Sequence, residues 1–424
     1  VVTAQGTVAF SGSGQSNVNA DIASVDAAAL MRALHLPYVA ATQVDGTLRA
    51  EWPGLEYLKA RGTAEATLRS TASDTAPSAL PLSGRVVARG DGGRIDAQLL
   101  QMAVPGAEVN GLVEVTSDGG LQGKVTGRSP DVGQLFSSVE ALTGRPPGSL
   151  LPTPVRGGAN VDARLAGSLA APTAAAAISA PSLEAGTIEG IALKAEASYS
   201  TRTVTIGRAD LTWEQAGIRL DGRVGIDRDQ PIDLTLSAND LRVESWLAAM
   251  NQAGLPISGM LTAKGSVGGT IAEPTAMITA TGSNLVAYEE HIGTLDATVR
   301  MEGHELTISD LVINKPQPEE TGRLSATGTY DLNRNTYTFD VQSAGLQLLG
   351  TVLPDGRRVR ADVQTLTAHG AGDIASPEGT FDLDVSALEI DAPRKTPSGQ
   401  EGDSTHTSRL GRVIVNGIAQ NHEA

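Results

Sequence analysis

Three stretches of the chain open with one phrase at one interval: Gly167-Ser-Leu-Ala-Ala-Pro172, Gly269-Thr-Ile-Ala-Glu-Pro274 and Gly372-Asp-Ile-Ala-Ser-Pro377. The prolines, at 172, 274 and 377, step by 102 and then 103 residues. A second signature begins at Gly6 (Gly6-Thr-Val-Ala-Phe10), Gly111 (Gly111-Leu-Val-Glu-Val115), Gly222 (Gly222-Arg-Val-Gly-Ile226) and Gly328 (Gly328-Thr-Tyr-Asp-Leu332), stepping by 105, 111 and 106. Two signatures held in phase along 424 residues mark a repeat architecture, in which each copy buries its apolar surface against its neighbours. A chain of this length otherwise divides into two to four compact domains. The repeat predicts one continuous body over residues 1–424, with approximate units 1–40 (partial), 41–152, 153–257, 258–359 and 360–424 (partial).

Within a unit the pattern has period two. Ile218-Arg-Leu220-Asp-Gly222-Arg-Val224-Gly-Ile226 places apolar residues or glycine at even positions and mostly charged ones at odd positions, as in a strand with one dry and one wet face. The pattern recurs in Leu295-Asp-Ala-Thr-Val299, in Ile191 and Leu193 against Lys194 and Glu196, and in Leu234/Leu236 and Phe339/Val341. Register is kept between units: Leu193, Val204 and Ile206 are each followed, 102 residues on, by Leu295, Leu306 and Ile308. A slip of one residue would turn every apolar side chain to the wrong face.

Asp45-Gly46, Asp91-Gly92-Gly93, Asp118-Gly119-Gly120, Glu302-Gly303-His304 and Asn333-Arg334-Asn335 are turn signals between such runs, so the strands are predicted to be antiparallel neighbours in chain order. At ~8–12 residues per strand and turn, each unit would hold roughly eight to ten strands. Helical patterning is confined to Val25–Leu34, Asp131–Val139 and Val243–Met250, with Asp26, Asp131 and Asp240 as candidate caps. These read as elements that cover a sheet edge or end. Ser70–Pro81, Arg145–Pro154, Asn314–Glu320 and Ala392–Arg409 lack alternation and read as exposed, flexible loops.

Composition narrows the function classes. With 32 Lys and Arg against 48 Asp and Glu, the chain carries a net charge of −16, which repels phosphate backbones and argues against nucleic acid as a partner. There is no cysteine, and the six histidines form no H-x-x-x-H pair, so neither a disulfide nor a metal site is expected. Glu289-Glu290-His291 reads as a solvated turn, because successive strand residues point to opposite faces. No nucleophile elbow occurs and the acidic residues are spread along the wet face, so no enzyme activity and no cofactor is predicted. No apolar run reaches the ~18 residues of a membrane span, and the first residues show neither Met nor a signal peptide. The chain is read as an internal piece of a longer polypeptide, with any anchor outside it.

What remains is the dry face. Its side chains are mostly small aliphatics, aromatics amount to only 3%, and the helical segments are too few to cover it. The predicted fold is all-β: a long, mostly antiparallel twisted sheet curled into a U-shaped hydrophobic groove, with a few short helices. Two walls packed together as a sandwich would give the same periodicity. The groove-facing, lipid-binding candidates are Ile191, Leu193, Val204, Ile206, Ile218, Leu220, Val224, Ile226, Leu234, Leu236, Leu295, Val299, Leu306, Ile308, Phe339 and Val341. At ~0.8 kcal/mol per buried methylene, moving a two-chain phospholipid into water costs on the order of 20 kcal/mol or more. A continuous apolar groove lowers that barrier, and repetition lengthens the groove.

The long alternating units, the Gly-x-[Leu/Ile]-Ala-x-Pro phrase and the Gly222-x-Val and Gly328-x-Tyr strands resemble the AsmA-like superfamily, most closely its TamB-type translocation and assembly proteins. The resemblance implies a taco-shaped sheet with a hydrophobic groove, anchored at the inner membrane by an N-terminal helix and spanning the periplasm. It also implies carriage of phospholipid toward the outer membrane, or outer-membrane protein assembly with a TamA-type barrel partner. Neither the anchor nor an outer-membrane docking domain is recognisable in this chain, as befits a middle segment. The rival reading is a structural or adhesin-like surface repeat, but a β-helix would show rungs every ~20–25 residues, and the unit here is four times longer.

Overall fold

The computed structural model describes residues 1–11, 14–29, 41–71, 81–143, 153–226, 229–249, 254–315, 322–353, 355–373, 377–395 and 401–420, with Pro146, Gly148 and Gln252 between them. The fold is all-β and antiparallel, and it divides into two units, Val1–Glu214 and Gln215–Ala424.

In the first unit the chain runs through β1 (Val2–Thr7), β2 (Gln15–Asp26), β3 (Thr42–Pro53), β4 (Arg61–Ser70), β5 (Ser83–Asp91) and β6 (Arg94–Val104). It continues through β7 (Ala107–Thr116), β8 (Leu121–Ser129), β9 (Val155–Gly167), β10 (Pro172–Ala185), β11 (Ile188–Ser200) and β12 (Thr203–Trp213). Each strand pairs antiparallel with the next, a meander without crossovers.

The second unit repeats the plan with β13 (Ala216–Gly225), β14 (Ile232–Arg242), β15 (Ile257–Gly269), β16 (Pro274–Ala287), β17 (Glu290–Glu302) and β18 (Glu305–Asn314). It ends with β19 (Arg323–Asp331), β20 (Thr336–Val352), β21 (Arg358–Asp373), β22 (Pro377–Lys395), β23 (Glu401–Leu410) and β24 (Val413–Gln420). The meander holds as far as β22. Beyond it, β23 and β24 lie end to end along one edge of β22, in a register that Leu388↔Leu410 and Val385↔Val413 share.

The repeat is six strands long, not eight to ten. Gly6, Gly111, Gly222 and Gly328 fall on β1, β7, β13 and β19, and the Gly-to-Pro phrase joins β9 to β10, β15 to β16 and β21 to β22. The first two phrases are hairpin loops whose ends face each other, Gly167↔Pro172 and Gly269↔Pro274, and Gly372 likewise faces Pro377. Six strands fill a 102-residue step because they are longer than the usual ~5–6 residues, β10 and β16 having 14 each. The signature glycines are required by contact. A Cβ on Gly6, Gly111, Gly222 or Gly328 would lie 2.2, 2.7, 2.0 or 2.7 Å from the carbonyl oxygen of Asn17, Lys124, Asp233 or Thr338 on the next strand. Gly46 belongs to the same class, its Cβ position being 2.3 Å from the Glu65 oxygen. Asp45-Gly46 is therefore the interior of β3, and the turn expected there is corrected: the glycine serves a close backbone approach.

The helices follow the expected places. Helix α1 (Val132–Thr143) opens with Gly133 N–H donating to the Asp131 carboxylate at 3.0 Å, and it packs on β9. Helix α2 (Val243–Ala249) packs on β14 and β15, and both helices bury their first valine. Asp240 does not cap α2; it holds a left-handed conformation (φ 55°) in a bulge of β14. Residues 27–29 are helical, with Ala28 N–H donating to Asp26 at 2.9 Å, while residues 30–34 of that expected helix lie outside the described residues. No described helix is long and apolar enough to cross a membrane.

Of the expected loops, residues 72–80, most of 145–152 and 316–320 lie outside the described residues. Ala392–Arg409 is a correction. Its two arms are the end of β22 and nearly all of β23, paired from Leu388↔Leu410 to Lys395↔Glu401. Backbone pairing at the margin of a sheet needs no apolar alternation, so period two could not reveal these strands.

Candidate functional site

Cross-strand register assembles the dry face row by row. In the first unit one row runs Ala4, Ala20, Leu48, Ala64, Ala88, Ala97, Val113, Gly123, Leu165, Ala174, Tyr199 and Val204, one residue from each of the twelve strands. In the second unit a row runs Leu220, Leu236, Gly265, Ile278, Val299, Ile308, Gly328, Phe339, Gly370 and Gly379. Its neighbour on one side runs from Ile218 through Ala238, Ala263 and Ala280 to Val341 and Phe381, and on the other from Leu234 through Met301 and Leu306 to Tyr337. No charged residue interrupts these rows.

Fifteen of the sixteen candidate residues fall on this face. Ile191, Leu193, Val204 and Ile206 do so in the first unit; Val224 pairs with Ile232 and Leu295 with Gly282 and Ile313 in the second. Ile226 is the exception. It lies past the end of β13, 40% exposed, with its N–H donating to Gln230 Oε1 at 3.1 Å. The alternation that pointed to it had already run out into the turn.

The sequence pattern also hides members of the face. In β12, Val204 and Ile206 face inward at even positions; beyond Gly207 the inward residues are odd, Ala209 and Leu211, opposite Ala195 and Leu193. In β18 the same switch occurs 102 residues later: Leu306 and Ile308 precede Ser309, and Leu311 and Ile313 follow it, opposite Ala297 and Leu295. Each switch is a β-bulge, whose extra residue restores the face. The change of parity was present in the sequence as a signal.

The face is sheltered but not filled. Of the candidate residues none is fully buried, and the buried apolar residues among those described are mainly alanines. Among the described residues a compact cluster forms around Ala361, Val363 and Val385, packed by Leu346, Leu348 and Leu366 among others. Alanines give a controlled comparison of the two faces. On β10, Ala174 and Ala176 are half-buried and Ala180 is 1% exposed, whereas Ala175 and Ala177 are exposed. Ala176 lies between Ala163 and Ala197, and Ala177 between the larger Asp162 and Glu196. Size of neighbours predicts the opposite order, so the sheet here bends toward its apolar face.

The other face is charged. Arg61 pairs with Asp91 (3.0 Å), Arg94 with Glu114 (2.9 Å) and Arg360 with Asp391 (2.9 Å) across neighbouring strands. Exposed pairs of this kind are worth ~0–1 kcal/mol each, so they serve solubility more than stability. A depression of about 660 Å³ on this face has Ala175 and Ala177 as its floor and Lys124, Arg164 and Glu196 at its sides. Its charged walls and open form make it a solvated surface feature.

A buried polar cluster lies at the start of β17. The side chains of Glu290 and Lys315 are 3% and 1% exposed and ion-paired, so the solvated turn expected at Glu289-Glu290-His291 is corrected at Glu290. Glu289 and His291 are exposed, Glu289 being paired with Arg358 at 2.8 Å. Glu290 also accepts from the Leu349 and Gly350 amides and Thr351 Oγ1, each at 3.1 Å, and Lys315 donates to the Gln347 carbonyl at 2.6 Å. Burial opposes the charge on Glu290, but the hydrogen bonds from Lys315, Leu349 and Thr351 and the charge of Lys315 outweigh it, holding the carboxyl below the usual glutamate range. With Val352 N–H donating to the Tyr288 carbonyl at 2.8 Å, this cluster ties the end of β20 to the start of β17 across two intervening strands. The described residues contain no grouping of His, Asp and Glu suited to a metal ion.

The chain matches no family model, no curated protein and no solved structure.

Proposed function

We propose that this chain is a length of conduit for the acyl chains of phospholipid, working in transport between two membranes as the AsmA-like resemblance implies. The observation that carries the reading is the set of unbroken apolar rows, present strand after strand in each unit and left half-exposed. A sheet that needed these side chains only for its own core would bury them under a second layer. Each half-exposed Leu or Ile keeps part of the ~1.5–3 kcal/mol that complete burial yields, and an acyl chain lying along a row recovers it. Cargo, periplasmic setting and an anchor contributed by sequence outside this chain belong to the same proposal, as does a barrel-type assembly partner reached through other parts of the polypeptide.

The test is direct. Protein purified from a bacterial envelope without detergent exchange is extracted with organic solvent and the extract analysed by mass spectrometry. Phospholipid in reproducible molar ratio to protein supports the conduit; protein that emerges free of lipid and takes up none from vesicles overturns it.

A further inference from the structure

The first unit holds an apolar hollow of a different character from the open rows. It has a volume of about 290 Å³ and is bounded by β3 to β7 and by the connection between β3 and β4. Leu48, Ala64, Ala88 and Ile95 line it, and Tyr57 and Leu58 form its rim.

Three observations point to an occupant. The first is Gly90, paired with Gly62 on one side and Ile95 on the other. A Cβ on Gly62 would lie 2.0 Å from the Arg49 carbonyl oxygen, so that glycine is required by the neighbouring strand. At Gly90 the nearest atom to such a Cβ is the Ala60 oxygen at 3.7 Å, an ordinary contact, and its φ is not in the left-handed region. Neither packing nor backbone conformation demands glycine at this position, and a glycine inside a strand weakens it unless something approaches closely. The missing side chain leaves the hollow open.

The second is the connection itself. The β5–β6 and β7–β8 turns are built on Asp91-Gly92-Gly93 and Asp118-Gly119-Gly120, whereas the β3–β4 connection carries Leu55, Tyr57 and Leu58, 59%, 68% and 62% exposed. Large apolar side chains on a turn at the mouth of an apolar hollow have no role in the packing of the sheet. The third is size. The hollow's volume is about twice that of a ~150 Å³ apolar cavity that takes up benzene and stands at the lower end of the ~300–1,000 Å³ range of small-molecule sites. An apolar hollow of this volume suits one unbranched polymethylene chain and is too small for a two-tailed lipid.

We propose that this hollow is a binding site for one acyl chain, held over Gly90 and covered by Tyr57 and Leu58, with the polar end of the molecule outside. The hollow lies on the same dry face, Leu48, Ala64 and Ala88 being members of the first unit's row, so the site rests on the conduit reading; it differs from the open rows in binding one chain with fixed stoichiometry.

The full chain is titrated with cis-parinaric acid, followed by fluorescence, and the bound probe is competed with palmitate and with a single-chain lysophospholipid. The expected result is one saturable site per chain, displaced by palmitate. Displacement by the lysophospholipid as well assigns the site to membrane-derived tails, and displacement by palmitate alone assigns it to free fatty acid. Gly90→Leu fills the hollow and Leu58→Asn opens its rim; each weakens binding by roughly tenfold or more. Because Leu58 is exposed, its variant tests the site without disturbing the sheet, and Ala177→Leu on the charged face leaves binding unchanged. Leu306→Asp in the second unit also leaves this site intact while impairing the proposed conduit, so the two proposals fail separately. Absence of saturable binding, or binding indifferent to both Gly90→Leu and Leu58→Asn, overturns the site.

Discussion

Glu290 and Lys315 stand 102 residues after Ile188 and Trp213, so the buried ion pair of the second unit occupies the positions at which the preceding copy of the repeat carries two apolar residues. Removing one partner of a buried pair leaves the other charged, dry and alone, at a cost of about 3–5 kcal/mol, while an apolar pair of similar volume is often neutral or better. Lys315→Met alone should therefore destabilise the β17–β20 region strongly, and Glu290→Ile combined with Lys315→Met should recover much of the loss. Hydrogen exchange at the Leu349 and Gly350 amides measures this locally. Fast exchange in the single variant and restored protection in the double one is the expected pair of results.

The same carboxylate makes the region sensitive to acid. Its folded-state pKa lies below the unfolded value, so its contribution to stability is present above the ordinary glutamate range and disappears as pH falls through the depressed folded value. Denaturation midpoints of the intact chain should fall on acidification below the ordinary glutamate pKa, and Glu290→Gln should flatten that part of the profile while lowering stability at neutral pH. An acid limb of unchanged slope in Glu290→Gln would assign the sensitivity to other carboxylates.

Charge placed on the dry face should block lipid without unfolding the sheet. Leu220→Asp and Leu306→Asp lie on adjacent rows, both half-buried, where a carboxylate meets apolar neighbours on each side. Loss of most co-isolated phospholipid with unchanged β-type circular dichroism is expected. Thr235→Asp, on the opposite face between Asp221 and Ser266, should leave the lipid content as it is.

Deleting Ser309 removes the extra residue of the β18 bulge. Without it the strand becomes regular, with Asp310 alone opposite Thr298 and Leu311 and Ile313 still opposite Ala297 and Leu295. The deletion should therefore cost far less than deletion of Val312, which lies outside the bulge and puts Leu311 and Ile313 next to each other, so that one of them must face the wet side. Limited proteolysis of the two variants, mapped over residues 310–328, distinguishes a dispensable bulge from a register that the face requires.

The period-two pattern around Leu220, Leu234 and Leu306 is legible in the sequence because those strands have one wet face and one dry face, and the pleat writes that difference into alternate residues. Strand number was not legible. Turn chemistry at Asp45-Gly46 is the same dipeptide that a hairpin uses, and only the approach of the Glu65 carbonyl shows that it serves a straight strand. The inward positions after Gly207 and Ser309 escape a period-two pattern because a bulge changes its parity. The buried role of Glu290 depends on Lys315 and on amides some 60 residues away, which no local pattern records. The polar arms of β22 and β23 have the composition of a loop, because main-chain pairing leaves no mark on side-chain composition.

Six is an even number, and that has a consequence for how such a chain can grow. In a meander, each strand reverses direction, so a block of six returns the chain to its original heading. Within the second unit, the Gly-to-Pro loops before β16 and β22 consequently sit at the same end of their strands. A copied or deleted block changes the extent of the sheet while every later strand keeps its orientation and its dry side. A block of five would invert everything downstream. Reach can thus be set by gene duplication alone, with no compensating change elsewhere in the protein.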